Sequence, residues 1–208
     1  IWGADHIGYI NRMKSIMNAI TNKKNYLEIN ICQIVRIIKN KKILKMSKRE
    51  GNFVTLKNLL HQVGKDPLRY FMVSTKNETQ MDFDLDKVIE KNKDNPVFYC
   101  QYAYARASSV INKSKNYKEF SNFLKLIECF DFNTLSNYER DIVLKLISWP
   151  YLLYQSATLR QPHKITNYIE DLSSSFHSFW NKGKDDRSLR FIDTSDINRT
   201  ITKLFLIE

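Results

Sequence analysis

Apolar residues recur at mixed spacings through the first part of this chain and, from about residue 55, almost wholly at helical spacing. Ile7, Ile10, Met13, Met17 and Ile20 predict an amphipathic helix entered from the end of a strand. Asp5 is the expected N-cap there, and Gly3 lets the backbone approach a ligand closely. Over residues 26–38 the pattern alternates, with Leu27, Ile29 and Ile31 on one face and many β-branched residues, which predicts a strand. Leu56, Leu59, Leu60 and Val63 then mark a short helix ending near Gly64, and Asp66-Pro67 opens the next. Asp84 opens another through Val88 and Ile89, and Asp94-Asn95-Pro96 begins a long helix reaching about Asn112.

The polar stretch Asn112–Asn116 reads as a loop. Phe120, Phe123, Leu124 and Ile127 resume helical spacing, and Ser136 with Glu139 makes a capping-box pattern ahead of Ile142, Val143, Leu146 and Ile147. Pro150 and Pro162 each suit a fresh helix start. The second of these helices runs through Ile169, Leu172, Phe176 and Phe179 to Gly183. Thr194 is the expected cap of a last helix holding Ile197, Ile201, Leu204 and Phe205. The pattern therefore predicts α/β then all-α, with a boundary near 90–96 and domains at 1–94 and 95–208.

Composition narrows the class. With 43% hydrophobic and 12% aromatic residues, the 208-residue chain has ample material for packed cores. A net charge of +11 and a pI near 9.5 point to a polyanionic partner, nucleic acid before membrane. Lys, Asn and Ile are abundant throughout, so part of this excess is attributable to an AT-rich genome. Cys32, Cys100 and Cys129 are far apart and form neither a metal-ligand nor a disulfide pattern, which suits a reducing cytoplasm. No apolar run approaches the roughly 20 residues needed to span a bilayer. The first residue is Ile1, and the pattern enters at once what reads as the middle of a domain, so a fragment is expected.

Candidate chemistry falls in three places. Lys45-Met46-Ser47-Lys48, followed by Arg49-Glu50-Gly51-Asn52, puts two ammonium groups and a hydroxyl in one short loop beside a glycine. By composition alone this is a solvated basic turn. A loop of this make-up also suits a mobile polyphosphate clamp, because compact lysine charges can sit where negative charge grows as pyrophosphate leaves. Gly3, Asp5 and His6 lie at a strand-to-helix junction, where nucleotides commonly bind; alternatively Asp5 only caps the helix and His6 packs beside Trp2. Tyr99, Tyr102 and Arg106 share one helix face at i, i+3 and i+7, able to stack on unpaired bases or to stand half-buried with Arg106 solvated. His163 and His177 lack metal-binding spacing, and core or surface roles are expected for both.

The order of these motifs adds a resemblance. Lys45–Lys48 with Arg49–Asn52 resembles the signature loop of class I aminoacyl-tRNA synthetases. Two further blocks, residues 2–14 (Trp2-Gly3-Ala4-Asp5-His6-Ile7-Gly8 and onward) and 95–106 (Asn95-Pro96-Val97-Phe98-Tyr99-Cys100-Gln101-Tyr102 and onward), resemble the arginyl-tRNA synthetases. Between them Asp66–Phe71 and Met81–Asp86 also look like that family, in the expected order. The resemblance implies the C-terminal part of a Rossmann-like catalytic domain followed by a helical anticodon-binding domain of DALR type, truncated at its C-terminus. It implies the activity of an arginine–tRNA ligase, with ATP accompanied by Mg²⁺ as substrate and no protein-bound metal.

By the same resemblance Lys45, Ser47 and Lys48 are catalytic, and Gly3, Asp5, His6 and Met46 line the ATP and adenylate pocket. Tyr99, Tyr102, Arg106 and, on a second helix, Tyr168 would meet the anticodon. The expected partners are tRNA(Arg), arginine and ATP, without a membrane, for a cytoplasmic monomer. The family's upstream His-Ile-Gly-His-type motif has no counterpart here, since Asp5-His6-Ile7-Gly8-Tyr9 lacks the second histidine. The piece alone is therefore expected to be inactive. A cysteinyl-tRNA synthetase fragment, lacking zinc ligands here, and a non-catalytic tRNA-binding remnant are the alternatives.

Overall fold

The computed structural model describes residues 1–44, 54–120, 122–125 and 132–208. The signature loop, Lys45, Met46, Ser47 and Lys48 included, lies outside the described residues, as do Gly51, Ile127 and Cys129. The chain forms two compact units, Ile1–Glu90 with Gln161–His163, and Lys91–Arg160 with Lys164–Glu208.

In the first unit β1 (Trp2–Gly3) leads through a 3-10 helix, Ala4–Tyr9, into α1 (Ile10–Thr21). The strand expected over 26–38 is shorter and double. β2 (Ile31–Cys32) pairs in parallel with β1, whose two residues limit that ladder, and β3 (Val35–Lys39) belongs to another sheet. A tight turn follows β3, with Asn40 and Lys41 both in the left-handed region at φ 50° and 60°, the signature of a hairpin turn. It returns the chain as β4 (Lys42–Ile43).

Beyond the loop, α2 (Leu56–Val63) is capped by the Thr55 hydroxyl, which accepts from the Asn58 amide at 3.1 Å. Gly64, at φ 83°, ends it where an L side chain would be strained. The next helix, α3 (Lys65–Ser74), starts directly on Gly64, so Asp66 lies in its first turn and is not the cap. β5 (Met81–Asp84) then lies parallel to β3, pairing Arg36 with Asp82 and Ile37 with Phe83. The residues of this motif alternate as a strand: Met81, Phe83 and Leu85 turn to the core and the aspartates outward. The helix expected from Asp84 is a single 3-10 turn, Lys87–Ile89; Asp84 Oδ1 accepts from the amides of Asp86 (3.0 Å) and Lys87 (3.3 Å). Ile37, Leu59, Val63, Leu68, Phe83, Leu85 and Val88 make the core of this unit.

The second unit is helical. Its first helix, α4 (Pro96–Ser114), opens on Asn95, whose side chain accepts from the Val97 amide at 3.0 Å, and continues past the expected loop at 112. α5 (Asn137–Thr158) opens on the expected capping box: Glu139 donates its amide to the Ser136 hydroxyl at 3.4 Å, and its carboxylate accepts the Ser136 amide at 2.6 Å. Pro150 starts no helix; α5 runs through it. The proline ring leaves the Leu146 carbonyl without its helical N–H partner, on a stretch where Leu146, Ile147 and Tyr151 are exposed. α6 (His163–Asp185) does start after Pro162, but it passes Gly183 by two residues. A Cβ at Gly183 would come 3.0 Å from the Leu189 carbonyl oxygen, so this glycine admits the returning chain rather than ending the helix. α7 (Ile197–Ile207) is capped by Asp196, accepting from the Arg199 amide at 3.0 Å, and not by Thr194.

The core of this unit gathers Ala103, Val110, Phe120, Phe123, Ile142, Phe176, Phe179, Phe191, Ile201 and Leu204. Lys203 is buried; its ammonium donates to the carbonyls of Ser188 and, at 2.8 Å, Arg190. Burial lowers its pKa from the ordinary lysine value, with the Arg199 charge adding to the effect. Arg190 in turn donates to the Gly183 carbonyl at 3.2 Å, so the stretch between α6 and α7 is fastened from both sides. That places Phe191 against Phe179 (4.6 Å between ring centroids) and Trp180 (5.9 Å).

Candidate nucleic-acid interface and nucleotide junction

At the amino-terminal junction the backbone does the positioning. The Trp2 amide donates to the Asn30 carbonyl at 2.9 Å, and the parallel pairs Trp2 with Ile31 and Gly3 with Cys32 fix the strand end. Asp5 is not an N-cap: neither the 3-10 turn nor α1 has a side-chain cap. Its carboxylate folds back over Gly3 instead, where a Cβ would come within 2.6 Å of Oδ1. His6 Nε2 lies 3.4 Å from Asp5 Oδ2, and its ring meets Trp2 edge-on at 6.1 Å and Tyr9 at 6.3 Å. Both Asp5 and His6 are largely exposed. The junction thus offers a carboxylate and an imidazole to solvent over a strand end, the open kind of place where a polar ligand can be met.

The helical unit brings its residues together much more tightly. Tyr99, Tyr102 and Arg106 stand on one face of α4, as their spacing predicts, and a second face on α6 meets them through His177 and Trp180. Arg106 donates to the Tyr102 hydroxyl at 2.9 Å, its guanidinium carbon 4.1 Å from the Tyr102 ring centroid and 5.0 Å from that of Trp180. Its other terminal nitrogen lies 3.1 Å from His177 Nδ1. Arginine can only donate, so Nδ1 must be the unprotonated nitrogen; Nε2 then carries the hydrogen and donates to the Tyr99 carbonyl at 3.1 Å. The imidazole also packs on the rings of Tyr99 (4.4 Å) and Tyr102 (5.8 Å), and Phe98 stacks on Tyr102 at 5.9 Å.

Tyr102 keeps 44% of its surface exposed while His177 keeps 5%, so an aromatic face is presented to solvent on a buried polar support. Burial lowers the His177 pKa; the Tyr99 carbonyl works against that shift and the Arg106 charge adds to it. An imidazole held neutral here is what the Arg106 bond requires.

Tyr168 is differently placed. It is buried on α6, its ring 5.0 Å from Trp149 and its hydroxyl donating to the Lys145 carbonyl at 3.2 Å. Burial raises its pKa. These contacts join α5 to α6 beside Pro150. His177, by contrast, takes the core role that was one of the two expected for it, but its bond to Arg106 and the part played by Trp180 were not foreseen. Their i, i+3 relation on a helix rich in apolar positions was the available signal.

The first unit thus carries an open strand-to-helix junction, and the helical unit an arginine laid over the rings of Tyr102 and Trp180. The family model of the DALR anticodon binding domain matches residues 100–208, and that of the class I tRNA synthetases (I, L, M and V) matches residues 2–84. The chain belongs to the class I aminoacyl-tRNA synthetases with a DALR anticodon binding domain, and among them to the arginyl-tRNA synthetase family. It is 41% identical to the arginine–tRNA ligase of Parvibaculum lavamentivorans over 100% of this chain and 36% of that protein. With the arginine–tRNA ligase of Gluconobacter oxydans the identity is 42%, over 100% and 35%. A Campylobacter jejuni structure described as an arginyl-tRNA synthetase superposes with a TM-score of 0.82 at 29% identity, covering 99% of this chain and 42% of that one. The chain thus spans about a third of the length of these curated relatives. Among the described residues no helix is long and apolar enough to cross a membrane, and no group of three or more His, Cys, Asp or Glu residues is placed to hold a metal ion.

Proposed function

We propose that this chain is part of an arginine–tRNA ligase, which activates arginine with ATP to arginyl-adenylate and transfers it to tRNA(Arg) in the cytoplasm. In the first step the arginine carboxylate attacks the α-phosphorus of ATP, with Mg²⁺ as part of the nucleotide substrate, and pyrophosphate leaves. Lys45 and Lys48 stabilise the charge growing on the leaving group, Ser47 supports the loop geometry, and Met46 lines the nucleotide pocket. Gly3, Asp5 and His6 line the nucleotide and adenylate pocket. One such preorganised contact is worth about 2.7–4 kcal/mol of barrier. The isolated 208 residues are expected to show no arginine-dependent ATP–pyrophosphate exchange, since they represent about a third of the relatives' length.

The helical unit binds the anticodon loop. The observation that carries this reading is the Arg106 guanidinium, held over the exposed Tyr102 ring by hydrogen bonds to Tyr102 and His177. A splayed base can stack on such a face while guanidinium N–H groups reach its edge or a phosphate. Replacing Tyr102 by Ala in the 208-residue chain is expected to weaken tRNA(Arg) binding by about 1–3 kcal/mol with the fold intact. The comparison must be made at one salt concentration, because phosphate neutralisation dominates the salt dependence. Equal affinity for wild type and variant would remove the proposed surface.

A further inference from the structure

All three α4 residues expected to meet RNA touch the same imidazole. His177 accepts from Arg106 through Nδ1, donates to the Tyr99 carbonyl through Nε2, and packs on the rings of Tyr99 and Tyr102. It reaches residues 71 and 78 positions away in the chain while remaining nearly fully buried. A histidine with only a packing role would not need to direct its lone pair at the Arg106 guanidinium. We propose that His177 is a positioning residue for RNA recognition: its unprotonated Nδ1 holds the Arg106 guanidinium over the Tyr102 and Trp180 rings, in the pose an unpaired base meets. This rests on the reading that Tyr102 and Arg106 contact the anticodon loop.

The physical reason is preorganisation. An unrestrained arginine has many rotamers, and ordering it on binding costs affinity. Here two of the five guanidinium N–H donors are spent on fixing the group, and the remainder can meet a ligand. The neutral state of the imidazole is upheld by its burial and by the adjacent cation, so the acceptor survives at ordinary pH. Trp180 is itself backed by Phe176 and Phe191, so the platform beneath the guanidinium is anchored in the core.

The test uses the whole 208-residue chain, an unmodified tRNA(Arg) transcript and one fixed salt concentration, with variants that divide the two hydrogen bonds of the ring. His177→Asn keeps an acceptor near the Nδ1 position and loses the reach to Tyr99. His177→Gln extends toward the Nε2 position and keeps Tyr99 at the cost of Arg106. His177→Leu removes both. Binding by the Asn variant is expected to stay within about twofold of wild type, and the Gln and Leu variants to weaken about tenfold, toward the Arg106→Ala level. Wild-type affinity in the Gln variant, or an Asn variant as weak as Leu, would overturn the proposal. If Arg106→Ala itself binds like wild type, the anticodon reading beneath it fails first. Should the Leu variant not fold, nitrogen NMR of the wild-type imidazole decides independently: a bare Nδ1 with a protonated Nε2 supports the assignment, and a protonated Nδ1 overturns it.

Discussion

At the amino-terminal junction Asp5 and His6 stand largely in solvent, aimed by main-chain pairing between Trp2–Gly3 and Ile31–Cys32, and neither the 3-10 turn nor α1 buries a single residue. On α4 and α6 the candidate residues hold one another: Arg106 to Tyr102 and His177, His177 to Tyr99, Trp180 against Phe191. The contrast separates two ways of building a site. A backbone-aimed site tolerates changes around it, because its geometry resides in peptide hydrogen bonds. A side-chain network is coupled, so one substitution is felt by every member.

Stability measurements offer the widest test of this difference. Replacing Phe179, fully buried against Phe191 and Tyr138, by Ala is expected to destabilise the helical unit by about 3–5 kcal/mol in urea unfolding. The same truncation at Ile16, half exposed on α1, should stay within about 0.5 kcal/mol. Comparable losses at both would erase the contrast.

Removing the Glu139 carboxylate comes next. Glu139 is buried, closes the capping box of α5 and receives Arg199 at 3.2 Å, so Glu139→Ala strands both a helix-end amide and a partly buried guanidinium. We expect about 2–3 kcal/mol, below the full cost of a buried broken pair because Arg199 keeps some solvent. A thermal shift of less than a degree or two would show that water replaces the carboxylate.

The pH profile sharpens the comparison further. His177 has a lowered folded pKa, so the unfolded chain takes up its proton first, at the ordinary value of 6.5. Stability from this group is therefore complete above that value and declines as pH falls below it, levelling only once the folded state also protonates. The groups facing the ring are Arg106, Tyr99 and Tyr102 from α4 and Phe176 on its own helix. His177→Asn should flatten the wild-type profile on the acid side of 6.5, and an unchanged slope would contradict the buried neutral imidazole.

The smallest expected effect lies in the hairpin. Lys41 sits at φ 60°, a conformation glycine adopts without strain, so Lys41→Gly should stabilise the first unit by about 0.5 kcal/mol. A loss of stability there would mean that the turn depends on the lysine side chain.

Much of the helical unit was legible because its helix ends carry local chemistry: Asn95-Pro96 and the Ser136–Glu139 box each specify an end within a few residues. What was not legible depended on distant partners. Pro150 reads as a start until the surrounding helix is seen to carry it, and Gly183 reads as a stop until the Leu189–Arg190 backbone is seen to pack on it. β5 had the alternation of a strand, but its length of four residues is set by pairing with β3, far away in the chain. The spacing of Tyr99, Tyr102 and Arg106 was enough to place them on one face. Tyr168, one aromatic among many, gave no local sign that Trp149 and the Lys145 carbonyl would enclose it. The bonds of His177 to Arg106 and Tyr99 were hidden for the same reason, since those partners lie on another helix.

The central claim, that the face of Tyr102, Arg106 and Trp180 receives RNA, is tested most directly by titrating an isotopically labelled chain with the anticodon stem–loop of tRNA(Arg) at fixed salt. The account predicts that the Arg106 side-chain and Trp180 indole signals shift first, with Tyr102, while Ile16 and Ile20 on α1 stay silent. Saturable binding that leaves Tyr102, Arg106 and Trp180 unmoved would contradict it.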